Sequence, residues 1–330
     1  AVRPAMPPPI TITLPAVNGF STPRHAGNSN GASGMNEHLR DALVASDGPL
    51  AGESIVAVDS VGGGCIHQAW RLKLEDGRAL FAKGGASSAL ALLDVEAEAL
   101  KALHRYADPD VLVVPQPLAV QELNGWSVLL LPWLDLRRGD QAALGRGLAL
   151  MHRSSAEASD GQFGWHRDGF IGAGPQPGGW CNDWGRCFVD LRLRPQLEMA
   201  SHWGIATEQM ERLLTALVGR LNDHQPQPSL VHGDLWGGNA GCLGDGRGTV
   251  YDPAAWWADR EVDLAMTRLF GGFSSSFQEA YAAVLPPRSG HQDRSEIYNL
   301  YHLLNHANLF GGGYIDQCRA GLKRLARQLL

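Results

Sequence analysis

Lysine is scarce in this sequence. Of the 28 basic residues only Lys73, Lys83, Lys101 and Lys323 are lysines, so a lysine among apolar neighbours stands out. Acidic residues number 34, which leaves a net charge of −6. No basic face follows from that balance, and it argues against a nucleic-acid partner. Cysteine is sparse and odd in number, five in 330 residues, and no N-x-S/T sequon occurs. Both features fit free thiols in a reducing, cytoplasmic setting. Long apolar runs are missing too. The longest, Trp126 to Leu134, has nine residues and is broken by Pro132. A bilayer needs about 20, so no membrane partner is expected. The remaining composition, 44% apolar and 19% charged, excludes a disordered, collagen-like or coiled-coil chain. The length suits one large domain or two lobes.

Residues 1–34 hold six Pro, four Gly, two Arg and no acidic residue. They contain no apolar h-region, so they do not read as a secretory signal. A disordered extension or tag is the plain reading, with Met35 as a start. The lack of acids also matches an organellar transit peptide, although the prolines disfavour an amphipathic helix. Beyond them the pattern predicts a helix over 36–45 and strands over 55–61, 69–74 and 78–83, with Asp76-Gly77 as a hairpin turn. Leu90, Leu93, Ala97, Leu100 and Leu103 mark a helix over 89–106. Strands over 111–120 and 126–131 follow. Helices are expected over 141–154, 184–200, 207–222, 260–270, 275–285, 295–308 and 314–330. Residues 162–179 read as a Gly-rich aromatic loop, and 230–252 as strand and hairpin. The fold class is therefore α+β and bilobal. A strand-rich first lobe with one helix spans 35–134, and a larger, mostly helical second lobe spans 135–330. Ligand sites favour the cleft such lobes form.

His232-Gly233-Asp234-Leu235-Trp236-Gly237-Gly238-Asn239 follows the apolar pair Leu230-Val231, and Asp252 stands thirteen residues past Asn239. A hairpin turning at Gly244-Asp245-Gly246 would return Asp252 to Asn239, with Asp234 just before. One amide and one carboxylate oxygen can hold magnesium. The second carboxylate is then free to take a hydroxyl proton, the division of labour of phosphoryl transfer. A bare D-x-x-x-x-N spacing is common by chance. It gains from Gly62-Gly63-Gly64, whose backbone N–H groups could face phosphates, and from Lys83 at a strand end. Buried, Lys83 needs an anionic partner. Glu96, thirteen residues on and on the next helix, is the natural one. Asp94 and Glu98 point about 160° away from it at 3.6 residues per turn.

These runs, with Tyr251-Asp252-Pro253-Ala254, Asp259 to Thr267, Leu269 to Phe273 and Tyr298 to His306, resemble the fructosamine kinase (ketosamine 3-kinase) family from about Val56 to the C-terminus. The resemblance implies a protein kinase-like fold, close to aminoglycoside and choline kinases. It implies ATP and Mg2+ as cofactors, and phosphorylation of the 3-hydroxyl of fructosamine or ribulosamine adducts, which leads to deglycation. Partners would be small ketoamines or glycated lysines on proteins. By position, Asp234 corresponds to the base, and Asn239 and Asp252 to metal ligands. Lys83 and Glu96 correspond to the phosphate anchor. Leu131, Trp133 and Leu134 form the hinge beside adenine, where Pro132 offers no N–H. Asp263 would brace the catalytic loop, with His232 as a structural partner. Trp236, His166, Asp168, Asp183 and Trp184 are acceptor-site candidates, though core aromatics in a long loop would read the same. The family associates a loop cysteine such as Cys65 with redox control, so the chain is expected as a monomer or a redox-linked dimer.

Other readings stay open. A kinase of aminoglycoside or choline type would share the same machinery. A non-catalytic nucleotide-binding module is disfavoured by intact Lys83, Glu96, Asp234, Asn239 and Asp252. His302 and His306 have zinc-ligand spacing, but Leu303 stands where a zinc protease needs Glu. They read as satisfied core histidines.

Overall fold

The computed structural model describes residues 35–62, 67–203 and 208–330. Gly63, Gly64, Cys65 and the extension 1–34 lie outside the described residues. The opening helix Glu37–Val44 starts one residue after Asn36, whose side chain accepts from the His38 N–H. Five antiparallel strands then form one sheet in the order Ile55–Ser60, Gln68–Leu74, Ala79–Ala86, Trp126–Pro132 and Ala119–Leu123. Asp76 caps its own turn by accepting from the Arg78 N–H at 2.9 Å, and Gly77 supplies φ 89°.

Strand alternation decides what each face of this sheet meets. Leu80, Ala82, Val128 and Leu130 pack with the Glu37–Val44 helix. Phe81, Leu129 and Leu131 pack on the other side with Leu93, Ala97 and Leu100 of the helix Leu90–Tyr106. Lys83 follows the parity of Phe81. It is thereby delivered to the face that carries the Glu96 helix.

The predicted strand over 111–120 is two strands in two sheets. Leu112–Val113 runs parallel to Gly248–Val250, and Ala119–Leu123 joins the five-stranded sheet. Pro115 and Pro117 between them have no N–H to offer a ladder. The expected loop over 162–179 instead holds short strands Phe163–Trp165, Gly169–Ile171, Gly174–Gln176 and Gly179–Cys181. Three-residue strands lie below the length at which alternation can be read. Phe163–Trp165 and Gly179–Cys181 share a sheet with Ser229–Val231 and Trp256–Ala258, the last of which sequence patterning missed. The helix expected over 184–200 is interrupted by a π-helical turn, Val189–Leu193. Pro195 cannot donate to the Leu191 carbonyl; Arg192 Nη1 donates to it at 2.9 Å instead.

The helical part is held by close approach and by buried polar pairs. Helix Ala142–Glu157 crosses Ser275–Val284 so tightly that a Cβ on Gly145 would sit 2.1 Å from the Phe277 carbonyl oxygen. Glu261 accepts from buried Arg294 at 2.7 and 2.9 Å. Trp184 stacks on Trp256 with ring centroids 5.6 Å apart. His302 is fully buried as expected, but it is not satisfied. Neither ring nitrogen has a partner among the described residues, and burial lowers its pKa to about 3.

Two outcomes follow. Gly145→Ala forces the helices apart and lowers unfolding free energy by about 1–3 kcal/mol in urea titration. His302 has a folded pKa below its unfolded value of about 6.5. Between these values only the unfolded chain takes the proton, so stability falls as pH drops below 6.5. From pH 7 to pH 5 this residue removes about 2 kcal/mol. His302→Leu, compared with the parent at both pH values, recovers that loss.

Candidate active site

The loop after strand Ser229–Val231 is fixed by one carboxylate. Asp263 lies in the first turn of helix Glu261–Leu269 and is fully buried. Its Oδ2 accepts from the His232 N–H at 2.7 Å, and its Oδ1 from the Gly233 N–H at 2.9 Å. His152 Nε2 approaches Oδ2 at 3.1 Å, and Tyr281 Oη lies 2.9 Å from His152 Nδ1. Burial alone would raise the Asp263 pKa. The bonds from His152 and Gly233 outweigh it and hold the carboxyl below the usual range. Gly233 has φ 82°, and a Cβ there would meet the Ala254 oxygen at 2.1 Å. Glycine is therefore required at the turn that presents Asp234. His232 Nε2 lies 3.0 Å from the Tyr251 oxygen. Burial lowers the His232 pKa, so the ring stays neutral.

The predicted hairpin forms, with Ala240 opposite Val250 and Cys242 opposite Gly248. It brings Asn239 and Asp252 together. The Asn239 amide donates to the Asp234 backbone oxygen at 3.0 Å, to Asp234 Oδ2 at 3.2 Å and to the Asp252 backbone oxygen at 3.3 Å. Its Oδ1 is left facing the other way, with no partner among the described residues. Asp252 adopts φ 58°, a strained conformation for a residue with a Cβ and common at functional sites. Burial raises the Asp234 pKa to about 7, helped by the charge of Asp252. That is the range in which a carboxylate works as a general base.

Lys83 joins the sheet to this loop. Its ammonium lies 2.7 Å from Glu96 Oε2 and 2.8 Å from Asp252 Oδ1. Burial opposes its charge, but the two carboxylates overcome that and raise its pKa. Burial pushes the Glu96 carboxyl upward against the pull of Lys83. The structure thus brings together Lys83, Glu96, Asp234, Asn239, Asp252, His232 and Asp263, as the sequence suggested. At the hinge, Leu131 is a core side chain, and the Trp133 N–H donates to the Ala79 oxygen at 3.2 Å. The Leu134 N–H keeps no partner among the described residues. Gly62 is exposed, with open space where a Cβ would go.

Acceptor-side candidates separate. Trp236 is 44% exposed beside Asp234, and its ring lies across Gly238, where a Cβ would come within 2.2 Å. Trp184 is a correction: it is 2% exposed and donates to Tyr298 Oη at 3.1 Å within the core. Asp183 is another, since it caps the helix Trp184–Phe188 and accepts from Asn222 at 2.9 Å. Asp168 accepts from the Gly178 N–H at 2.8 Å, and His166 lies 2.8 Å from Glu98. Asp168 thus closes its own segment, and His166 ties that segment to the helix Leu90–Tyr106. Sequence reasoning missed His152, although a histidine on the apolar stripe of Leu144, Leu148 and Met151 was a usable signal. It also missed His67, whose pKa is lowered by burial and by nearby Lys83.

Oxygen donors suit a hard divalent cation. Asn239 Oδ1, Asp252 Oδ2 and Asp234 Oδ1 accept no hydrogen bond within the described residues, so oxygens are available for magnesium, with Asn239 and Asp252 as the pair that would hold it. Among the described residues no helix is long and apolar enough to cross a membrane.

A profile of the fructosamine kinase family matches residues 42–328. A protein named as a probable ketoamine kinase in Synechocystis sp. is 40% identical over 271 residues, covering 81% of this chain and 90% of its own. The chloroplastic protein-ribulosamine 3-kinase of Oryza sativa subsp. indica is 36% identical over 266 residues, covering 79% of this chain and 76% of its own. A crystal structure from Thermobifida fusca, provisionally assigned as a fructosamine-3-kinase, superposes with TM-score 0.72 at 31% identity, over 84% of this chain and 95% of that one.

Asp263→Asn places an NH2 group against backbone donors and lets the loop shift. A misplacement of this kind costs about 100-fold in turnover. Steady-state kcat, read beside a urea titration, checks it: kcat falls by far more than the fraction unfolded explains.

Proposed function

The chain belongs to the fructosamine kinase family, phosphotransferases acting on a sugar hydroxyl, and from that we propose that it phosphorylates the 3-hydroxyl of a ketoamine sugar. The carrying observation is the convergence of Asp234, Asn239 and Asp252 on the Lys83–Glu96 pair. Fructosamine or ribulosamine adducts of lysine, free or on proteins, are the acceptor class. A 3-phosphorylated ketoamine can enolise and eliminate inorganic phosphate, and hydrolysis of the resulting imine by water frees the amine, so the consequence is deglycation. Residues 35–134 would serve as the nucleotide-binding lobe, and 135–330 as the lobe of catalysis and acceptor.

Each residue has a physical task. Asp234 accepts the proton of the sugar hydroxyl as the hydroxyl oxygen attacks the γ-phosphorus of ATP; the bond from that phosphorus to the bridging oxygen breaks, and ADP leaves. The transfer is direct, so no phosphoenzyme forms. Lys83, kept cationic by Glu96, neutralises phosphate oxygens. On nucleotide binding it exchanges Asp252 for phosphate, which frees Asp252. Asn239 and Asp252 would hold Mg2+, which when bound neutralises charge between the phosphates. The Leu134 N–H is the hinge donor for adenine. Trp236 presents an indole face beside Asp234, suited to the C–H surface of a sugar and to excluding water as a competing acceptor.

Turnover with magnesium-ATP is measured against ribulose-lysine, fructose-lysine and an aminoglycoside, and the phosphorylated carbon is located by NMR. Transfer to the third carbon of a ketoamine is expected. Transfer to the aminoglycoside alone keeps the kinase and discards this acceptor. Asp234→Asn abolishes turnover while nucleotide binding, followed by calorimetry, stays within a few-fold; retained turnover removes the role given to Asp234.

A further inference from the structure

The helix Leu90–Tyr106 that carries Glu96 presents two further carboxylates. Asp94 and Glu98 are four residues apart and share a face, turned about 160° from Glu96. That face meets the turn after strand Phe163–Trp165. Arg167 Nη2 lies 2.9 Å from Asp94 Oδ2 and 2.5 Å from Glu98 Oε2. His166 Nε2 lies 2.8 Å from Glu98 Oε1. The strand that follows, Gly169–Ile171, runs against the same helix, and a Cβ on Gly169 would come within 3.2 Å of Val95 Cγ1. The turn itself is closed. Asp168 accepts from the Gly178 N–H, and a Cβ on Gly178 would strike the Arg167 backbone at 2.2 Å. Arg167 thus stands on a fixed base and grips the helix across two of its turns.

We propose that Arg167, with His166, is a positioning residue for the Lys83–Glu96 pair: it sets the rotation of the Glu96 helix about its axis. The helix's apolar side, Leu93, Ala97, Leu100 and Leu103, is buried in the core and holds it against the sheet. Apolar contacts are non-directional and leave small rotations cheap, whereas the Lys83–Glu96 contact at 2.7 Å is lost by a shift of about 1 Å. Charge pairs on the far side resist that rotation. These side chains are 31–49% exposed, so their contribution to global stability is small. Their effect falls on geometry. The segment that resembles an acceptor grip is therefore also a strap on the phosphate anchor. The inference rests on the assignment of Lys83 and Glu96 to nucleotide phosphates; it does not depend on which acceptor is used.

The test measures affinity for a magnesium-bound, non-hydrolysable ATP analogue by calorimetry without acceptor, and the KM of both substrates at steady state. Four variants are compared with the parent: Arg167→Met, the pair Asp94→Asn with Glu98→Gln, all three together, and the reversed pair Arg167→Glu with Glu98→Arg, made together with Asp94→Asn so that no carboxylate faces the new one. Lys83→Met is the control. Arg167→Met and the carboxylate pair should each weaken nucleotide binding by about fivefold. The triple variant should lose no more than either. The reversed pair should recover most of the loss, with acceptor KM and melting temperature near the parent's. Unchanged nucleotide affinity in Arg167→Met overturns the proposal. So does a rise in acceptor KM alone, which would make Arg167 an acceptor contact, or a loss that tracks melting temperature and is not recovered by reversal. If Lys83→Met itself leaves nucleotide affinity intact, the anchor assignment fails, and the proposal falls with it for that distinct reason.

Discussion

One buried carboxylate organises the loop at His232 to Asn239 and the hairpin that follows it. Asp263 takes two backbone N–H bonds from His232 and Gly233 and a third contact from His152. A charge with no exposure to water persists only when its lone pairs are filled, and here three donors from two further elements fill them. The arrangement is self-consistent. The loop satisfies the carboxylate, and the carboxylate holds the loop in a backbone shape that only glycine at 233 allows. Asp234 and the hairpin that returns Asp252 inherit their positions from it.

The second half of the site depends on Lys83, and the dependence runs through strand parity. Phe81 and Lys83 share a face because side chains alternate along a strand. That face meets the helix of Glu96. Lys83 contacts one carboxylate from that helix and one, Asp252, from just past the hairpin Ala240–Val250, so a single ammonium ties sheet, helix and loop together. The helix is tied again on its opposite face by Arg167 and His166. Glu96 is therefore set between two electrostatic contacts, one buried and one half-exposed. In the proposed reaction the buried contact would supply charge to the phosphates, and the half-exposed one would supply alignment.

Legibility in the sequence followed the range of the interaction. Asp234, Asn239 and Asp252 lie within one hairpin, so spacing and turn residues sufficed to bring them together. Lys83 and Glu96 lie on adjacent elements, and the scarcity of lysine marked one of them. The acceptor-side segment was misjudged because its strands are three residues long and its polar groups act at long range. Asp183 caps a helix and holds Asn222, Trp184 lies in an aromatic stack, and His166 reaches across to Glu98. Apart from the helix that Asp183 caps, these partners are distant in sequence.

The sequence by itself determined the order of the longer helices and of the first three strands, the alternation that sends Lys83 to the helix side, and the chemistry of the loop at His232 to Asn239. Those are consequences of period, turn geometry and residue type, all of which act over a few residues. Only the tertiary structure decided which sheets the two halves of the apparent strand at 111–120 join, Leu112–Val113 beside Gly248–Val250 and Ala119–Leu123 beside Trp126–Pro132. It alone decided that His152 completes the shell of Asp263, and that the buried His302 ring has no partner among the described residues. Such outcomes depend on which distant surfaces meet, and packing, not local propensity, selects them.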